Sequence, residues 1–166
     1  RNGVDLYVVQ IKHAIEKMNE KMAELGLKST SFADIVGLDN GNISTASDVA
    51  RLTEIALDNV EISKAVLLKK YEFTTAGGRK KVIYNTNELL DKFPQGNIDI
   101  LGGKTGHTDA ADYCLTSKFK NETGLEIIVV VLGADSDQAR FNTTEELVRM
   151  VYKNIKNNIS NSAYAL

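Results

Sequence analysis

The fold of this chain is indicated by one stretch of sequence, GKTGHTD at residues 103–109, which runs on to YCL at residues 113–115. It sets a lysine and a threonine between two glycines, at the start of what we predict to be a strand at a sheet edge. A glycine has no Cβ, so another chain can lie close to the backbone there. Lys104 supplies a compact positive charge, and Thr105 supplies a hydroxyl that can hydrogen-bond a carboxylate or relay a proton. A Lys-Thr-Gly run alone is more often a turn with a solvated lysine, so the surrounding segments decide its meaning.

Helical and strand patterns follow one another in blocks along the rest of the chain. Apolar residues from Ile11 to Leu25 keep a 4-3-4-3 spacing, which predicts a helix that ends at Gly26. Thr45 with Asp48 predicts the capped start of a second helix. The other predicted elements are a short helix over 61–68, a hairpin of 71–75 and 81–85, a helical turn over 88–92, strands over 99–106, 111–120 and 125–134, and a final helix capped by Thr143 and Glu146.

This order of elements indicates the fold class. Helices, then three meandering strands, then a closing helix are typical of an α+β fold, an antiparallel sheet flanked by helices. We expect a single domain over residues 1–159 and a frayed tail over residues 160–166.

Composition excludes several classes of function. A net charge of −2 over 166 residues argues against a nucleic-acid partner. Cys114 is the only cysteine, so no disulfide can form within the chain, and its apolar strand neighbours predict a buried thiol. The two histidines, His13 and His107, lack metal-ligand spacing, and we expect neither a metal nor a cofactor. No apolar run is long enough for a membrane span, and the missing leader fits a trimmed or proteolysed chain if the protein is secreted.

Several segments match one family in order and spacing. The chain resembles the serine D-alanyl-D-alanine carboxypeptidases, low-molecular-mass penicillin-binding proteins of bacterial cell-wall metabolism. Beside the GKTGHTD stretch, the resemblance rests on MN at 18–19, LGL at 25–27, TSF at 30–32, GLD at 37–39, STASDVA at 44–50, YNTNELL at 84–90, VVLGA at 130–134 and RF at 140–141. It covers roughly residues 15–155, and it implies the β-lactamase and penicillin-binding-protein (transpeptidase-like) fold.

The resemblance also implies an activity and a location. Such an enzyme removes the terminal D-alanine from peptidoglycan stem peptides through an acyl-enzyme, is acylated at the same serine by β-lactams, and acts outside the cytoplasm. The family's nucleophile motif, S-x-x-K, and its second motif, S-x-N, belong upstream of Met18 and are not found here. Ser117 with Lys120 fits S-x-x-K formally, but it lies at the end of a predicted strand rather than at the start of a helix, so we interpret it as a decoy. We therefore expect this chain to be inactive alone.

The site residues follow from the same resemblance. Lys104 and Thr105 would bind the substrate carboxylate, with both side chains facing one groove, while Gly103 and Gly106 would admit a peptide laid antiparallel along the strand. The backbone N–H of His107 would supply one oxyanion-hole donor. Two further acidic residues of this segment, Asp109 and Asp112, are expected to brace the following loop. Arg140 would assist carboxylate binding or would only solvate a helix entrance, and the sequence leaves both open.

Two other readings compete with the carboxypeptidase. One is a β-lactamase-related enzyme, which shares the Lys-Thr-Gly motif. The other is a non-catalytic peptidoglycan-binding or interaction module that kept the groove. The family's first two strands are N-terminal and would be absent here, which would leave a free sheet edge for a missing N-terminal half or for self-association. The sequence does not indicate the stem-peptide preference, a C-terminal anchoring domain or the oligomeric state.

Overall fold

A computed structural model describes residues 2–93 and 97–163 of the chain. Its helices and strands, in chain order, are α1 (Asn2–Glu24), α2 (Ala46–Leu57), α3 (Val60–Leu67), β1 (Lys70–Thr74), β2 (Lys80–Tyr84), α4 (Leu89–Lys92), β3 (Ile98–Thr108), β4 (Asp112–Asn121), β5 (Glu126–Ala134) and α5 (Asp137–Ala163). Strands β1 and β2 form a separate hairpin, and β3, β4 and β5 form an antiparallel sheet in that order. The predicted α+β class with an antiparallel sheet is confirmed.

The three-stranded sheet is covered on both faces. Helix α5 lies on one face, where α4 joins it, and α2 and α3 contact the other. The core on the α5 side consists of buried apolar side chains from the strands and from both helices: Leu89, Phe93, Leu115, Phe119, Val129, Val131, Phe141 and Val148. Each such side chain contributes about 1.5–3 kcal/mol on leaving water, which makes this layer the main source of stability.

Local chemistry explains where the early helices begin and end. Helix α1 is followed by Gly26 in the left-handed region at φ +75°, and the N–H of Leu27 returns to the carbonyl of Met22 at 2.9 Å. The hydroxyl of Thr45 accepts the N–H of Asp48 at 3.2 Å and caps α2, as predicted.

The loop between α1 and α2 is organised by one carboxylate. Asp34 accepts a hydrogen bond from the side chain of Asn42 at 2.9 Å and from the backbone N–H groups of residues 36–39 at 2.7–3.2 Å. These donors, the Asn42 amide first, hold the pKa of the Asp34 carboxyl well below its usual range. The loop therefore keeps a defined shape beside the sheet.

The last helix begins earlier than the sequence predicted. We expected Thr143 and Glu146 to cap it, but α5 starts at Asp137, where the hydroxyl of Ser136 accepts the N–H of Ala139 at 3.1 Å. The predicted cap lies inside the helix because Ser136 offers the same capping oxygen two turns upstream. The helix includes residues 160–163 of the predicted tail, and residues 164–166 lie outside the described part of the chain.

In the second half of its length, α5 meets the turn between β4 and β5. The hydroxyl of Tyr152 donates to the carbonyl of Leu125 at 3.1 Å. Burial, with a smaller effect from the Glu126 carboxylate, raises the pKa of Tyr152 to about 12. This contact fixes the helix against the sheet at the end remote from the GKTGHTD stretch.

Candidate active site

The GKTGHTD stretch lies on strand β3, at the edge of the sheet. Lys104 pairs with Thr116 of β4, Thr105 with Leu115, and Gly106 with Cys114. No strand of the described residues pairs with the other side of β3. An extended peptide can therefore add to this edge by backbone hydrogen bonds.

The side chains of Lys104 and Thr105 point to opposite faces of the sheet. Thr116, the cross-strand partner of Lys104, shares a hydrogen bond of 2.8 Å with Thr53 of α2. Leu115, the partner of Thr105, lies in the core beneath α5. The prediction that both side chains face one groove is wrong, because successive residues of a strand alternate between its faces.

Lys104 is an exposed cation without a carboxylate partner in the part of the chain that the structure describes. Its Nζ donates one hydrogen bond, to the carbonyl oxygen of Thr105 at 2.5 Å. An ammonium group carries three donors, so two remain for a ligand. Lys104 is thus placed to attract an anion to the free edge of β3.

Thr105 is held by a residue of the YNTNELL segment to which the sequence analysis assigned no role at the site. Its hydroxyl lies 2.5 Å from the hydroxyl of Thr86, and only 7% of Thr105 is exposed. Thr86 is positioned by Asn85, whose side-chain amide donates to the carbonyls of Val66 at 2.9 Å and Leu68 at 3.0 Å. A contact between residues nineteen positions apart has no signal in spacing, which is why it was missed.

The two glycines of the motif have different roles. A Cβ on Gly103 would collide with the hydroxyl of Ser117 and would lie 2.6 Å from the carbonyl oxygen of Thr116. A Cβ on Gly106 would meet only the Cβ of Cys114, at 3.9 Å. Only Gly106 fits the predicted approach of a peptide, and the expectation for Gly103 is corrected: it is buried and leaves room for the neighbouring strand.

Arg140 is buried beneath the motif, with only 5% of its surface exposed. Its Nη1 donates to the carbonyls of Gly106 at 3.0 Å and Cys114 at 3.3 Å, and its Nη2 forms an ion pair with Asp137. The guanidinium also lies over the ring of Tyr113, 5.5 Å from its centroid. These contacts hold α5 against the end of β3, so the structure places Arg140 behind the edge rather than in it.

His107 lies beyond the motif, next to the loop that Asp34 organises. Its ring stacks on Tyr113 with centroids 4.1 Å apart. A cavity of about 250 Å³ lies between this loop and the β3–β4 turn, and its lining includes Asn40, Asn42, His107 and Cys114. The opening beside His107 gives a ligand at the edge of β3 a place for its next group.

Two smaller expectations concern the residues after the motif. Cys114 is half-buried, so the predicted buried thiol is wrong; the start of β4 leaves the Sγ atom 3.4 Å from the carbonyl of Ala111. The side chains of Asp109 and Asp112 make no hydrogen bond or ion pair with the described residues, so they do not brace the loop. The hydroxyl of Thr108 performs that role by accepting the N–H of Ala111 at 3.1 Å.

Ser117 is completely buried, and its hydroxyl has no hydrogen-bond partner. It lies inside strand β4 opposite Gly103. A nucleophile must reach its substrate and a base, and this hydroxyl reaches neither. The burial supports the interpretation of Ser117 as a decoy.

Two further searches concern the described residues only. None of their helices combines the length and the apolar character needed to cross a membrane. Among the same residues, no three His, Cys, Asp or Glu side chains come together in a group that could hold a metal ion.

Comparison with known proteins places this geometry in a family. The family model described as D-alanyl-D-alanine carboxypeptidase matches residues 10–136. D-alanyl-D-alanine carboxypeptidase DacF of Bacillus subtilis is 36% identical over 127 residues, covering 76% of this chain and 31% of the relative. D-alanyl-D-alanine carboxypeptidase DacC of Escherichia coli is 37% identical over 132 residues, covering 79% of this chain and 31% of the relative.

Solved structures agree with the sequence relatives. A Streptomyces DD-transpeptidase aligns with a TM-score of 0.73 at 30% identity, covering 81% of this chain and 52% of that one. A D-alanyl-D-alanine carboxypeptidase from Mycobacterium tuberculosis aligns with a TM-score of 0.66 at 27% identity, covering 81% and 53%. The chain thus spans about a third of the curated relatives and about half of these solved chains. The matched residues include the Lys-Thr-Gly strand and the loop beside it, and the chain belongs to the D-alanyl-D-alanine carboxypeptidase family.

Proposed function

We propose that this chain forms the substrate-binding part of a serine-type D-alanyl-D-alanine carboxypeptidase. The observation that carries the proposal is the free edge of β3, where an unpaired lysine, Lys104, and an open glycine, Gly106, lie two residues apart along the strand. A stem peptide ending in D-Ala-D-Ala has an extended backbone and a terminal carboxylate, and this edge suits both. Penicillins carry a comparable carboxylate and would bind at the same place.

Each residue of the edge has a role in this proposal. Lys104 attracts the carboxylate with its two free donors, and Thr105, whose hydroxyl lies on the opposite face against Thr86, holds the strand that carries Lys104. Gly106 lets the peptide approach the strand. The N–H of His107 stabilises the oxyanion of the acylation step, where the loss of one such donor lowers kcat by about 10²–10³-fold.

The nucleophile must come from outside these residues. Ser117 is buried without a partner, so it cannot attack a substrate bound at the edge of β3. A serine with a lysine one helical turn later, supplied by a segment that the relatives possess and this chain does not match, would complete the site. The acyl-enzyme then forms on that serine, and D-alanine leaves. Because the substrate is a cell-wall polymer, the reaction takes place outside the cytoplasm.

The two alternative functions predict different reactions with a ligand bound at the edge of β3. A β-lactamase-related enzyme would hydrolyse the acyl-enzyme formed with penicillin rapidly, whereas a carboxypeptidase would retain it. A non-catalytic module would bind stem peptides without any acylation, whatever segment is joined to it. The match over residues 10–136 supports the carboxypeptidase over both.

A labelling experiment tests the proposal. The 166-residue chain alone should take no fluorescent penicillin and release no D-alanine, whereas a protein that joins it to the nucleophile-bearing segment should do both. Covalent label at Ser117 of the chain alone would overturn the assignment of the nucleophile. A joined protein that never reacts would overturn the enzymatic function in favour of the module.

Within the joined protein, Lys104→Ala should slow acylation by penicillin and by peptide alike. A hydrogen bond to a charged group contributes about 1.5–3 kcal/mol, which corresponds to a roughly ten- to hundredfold loss. The matched control is Lys21→Ala, an exposed lysine on α1 whose partner is Glu24. Equal acylation rates for Lys104→Ala and the control would remove the carboxylate role from Lys104.

A further inference from the structure

The hairpin of β1 and β2 stands apart from the rest of the fold. All ten of its strand residues are exposed, on both faces. Register puts Tyr71 opposite Ile83 and Phe73 opposite Lys81, so these four side chains share one face. We call them the aromatic face. Tyr71, Phe73 and Ile83 are 56%, 37% and 57% exposed, which is unusual for apolar side chains that lie next to one another.

The two rings of the aromatic face form a platform. Their centroids are 6.1 Å apart, and their planes differ by 22°. The sugar rings of a glycan carry apolar C–H faces that can lie flat on such rings while the hydroxyls stay hydrated. The opposite face of the hairpin has no stacked pair in the described structure; it carries Val82 and Tyr84 among charged and polar residues.

The hairpin also carries an excess of positive charge, although the chain as a whole is negatively charged. Four basic residues, Lys70, Arg79, Lys80 and Lys81, stand against Glu72 alone, which gives a local charge of +3 in a chain of net charge −2. Glu72 is already paired with Lys70 at 2.9 Å. The other three cations have no acidic partner among the residues that the structure describes. Their charge is available to an anionic ligand.

The base of the hairpin leads directly to the candidate active site. The N–H of Asn85, one residue after β2, donates to the carbonyl of Lys69 at 2.9 Å and closes the hairpin. The next residue, Thr86, contacts Thr105 of the motif strand. The base of the hairpin is therefore joined to β3 through Thr86, the second residue after β2.

We propose that the aromatic face binds the sugar–peptide polymer of peptidoglycan and delivers its stem peptides to the edge of β3. This one ligand fits all three features of the hairpin. Its sugar faces suit the rings, the carboxylates of its peptides suit the unpaired cations, and the hairpin is continuous with the candidate active site. The proposal rests on the proposed function for the identity of the polymer. A membrane surface fits less well, because the tip of the hairpin, residues 75–79, is Thr-Ala-Gly-Gly-Arg, while the exposed rings lie along its strands.

Co-sedimentation with purified peptidoglycan freed of teichoic acid tests the proposal, and it requires no nucleophile. The wild-type protein should sediment with the polymer, and binding should weaken as salt rises because the charges are exposed. Replacing both rings (Tyr71→Ser with Phe73→Ser) removes the platform and should weaken binding about tenfold, which corresponds to about 1.4 kcal/mol. Tyr71→Phe keeps the ring and should bind like wild type.

A second comparison isolates the face. Lys81→Gln removes a charge from the aromatic face, and Lys80→Gln removes the same charge from the neighbouring residue on the opposite face. Lys81→Gln should weaken binding more than Lys80→Gln. Three results would each overturn the proposal: equal binding by wild type and the double ring variant, failure of the wild type to sediment, or binding of the wild type to anionic phospholipid vesicles and not to peptidoglycan. Penicillin labelling is read separately, so failure of the catalytic proposal does not resemble failure of this one.

Discussion

Replacing Arg140 by methionine should destabilise the fold and loosen the end of the motif strand. The change keeps most of the side-chain volume but removes the donors that reach the carbonyls of Gly106 and Cys114. Two hydrogen bonds from a charged donor correspond to about 3–6 kcal/mol in gross terms. Part of that is returned, because the variant no longer buries a guanidinium whose Nε has no partner, and because Gly106 is exposed to water. The net loss expected is about 2–3 kcal/mol.

Thermal denaturation measures this loss. At roughly 2–4 °C per kcal/mol for a chain of this size, Arg140→Met should lower Tm by about 4–12 °C. The control is Arg149→Met on the same helix, where the side chain is 67% exposed, its carboxylate partner is 3.9 Å away and its guanidinium lies 5.8 Å from the ring centroid of Phe93. It should change stability by at most about 1 kcal/mol.

The result that would refute this reasoning is a Tm for Arg140→Met equal to that of Arg149→Met. Arg140→Lys refines the test, since one ammonium cannot reproduce the planar fork that joins both carbonyls to Asp137. It should fall between wild type and Arg140→Met. A fully stable lysine variant would mean that charge alone, without the fork, holds the strand.

Three further predictions follow from packing and titration. Gly103→Ala should destabilise the protein by about 1–3 kcal/mol in chemical denaturation, while Gly106→Ala should change it by less than about 0.5 kcal/mol; equal effects would contradict the packing argument. In an absorbance titration of the tyrosines, Tyr152→Phe should lose a component that titrates near pH 12. Because the pKa of Tyr152 is raised in the folded protein, the stability that its neutral phenol contributes should disappear as pH rises from about 10 through about 12. The Asp34 carboxylate should stabilise its loop at all pH values above the ordinary aspartate pKa and lose that effect only as pH falls through its lowered pKa. Amide exchange at residues 36–39 should therefore stay slow at pH about 4 in wild type and be faster in Asp34→Asn at that pH and above. Unchanged exchange in the variant would count against this role of the carboxylate.

Elements defined by local chemistry were predictable from the sequence. Gly26 ends α1, Thr45 caps α2, and the β4–β5 turn lies at Asn121-Glu122-Thr123-Gly124, because each of these depends on residues a few positions apart. The same logic failed at α5, where Ser136 competes with Thr143 for the cap. Sequence patterns do not rank two candidate capping residues that lie two helical turns apart.

The site was less predictable because its contacts are long-range. Because the Lys-Thr-Gly motif was treated as a unit, the side chains of Lys104 and Thr105 were predicted to face one groove, although neighbouring residues of a strand point to opposite faces. The hydroxyl pair of Thr86 and Thr105 and the burial of Arg140 depend on how α4, α5 and β3 meet, which no spacing records. The family resemblance supplied the identities of the site residues; the structure supplied their directions.

The contact between Gly103 and Ser117 has a consequence for how such a motif is inherited. The first glycine of the motif is required by the interior of the sheet, because Ser117 fills the space that a side chain would need. A descendant that lost its nucleophile would still be selected to keep this glycine for folding. The position therefore records the packing of the scaffold, whereas Lys104 and Gly106, which have no such packing role, are the positions where the proposed function can be tested.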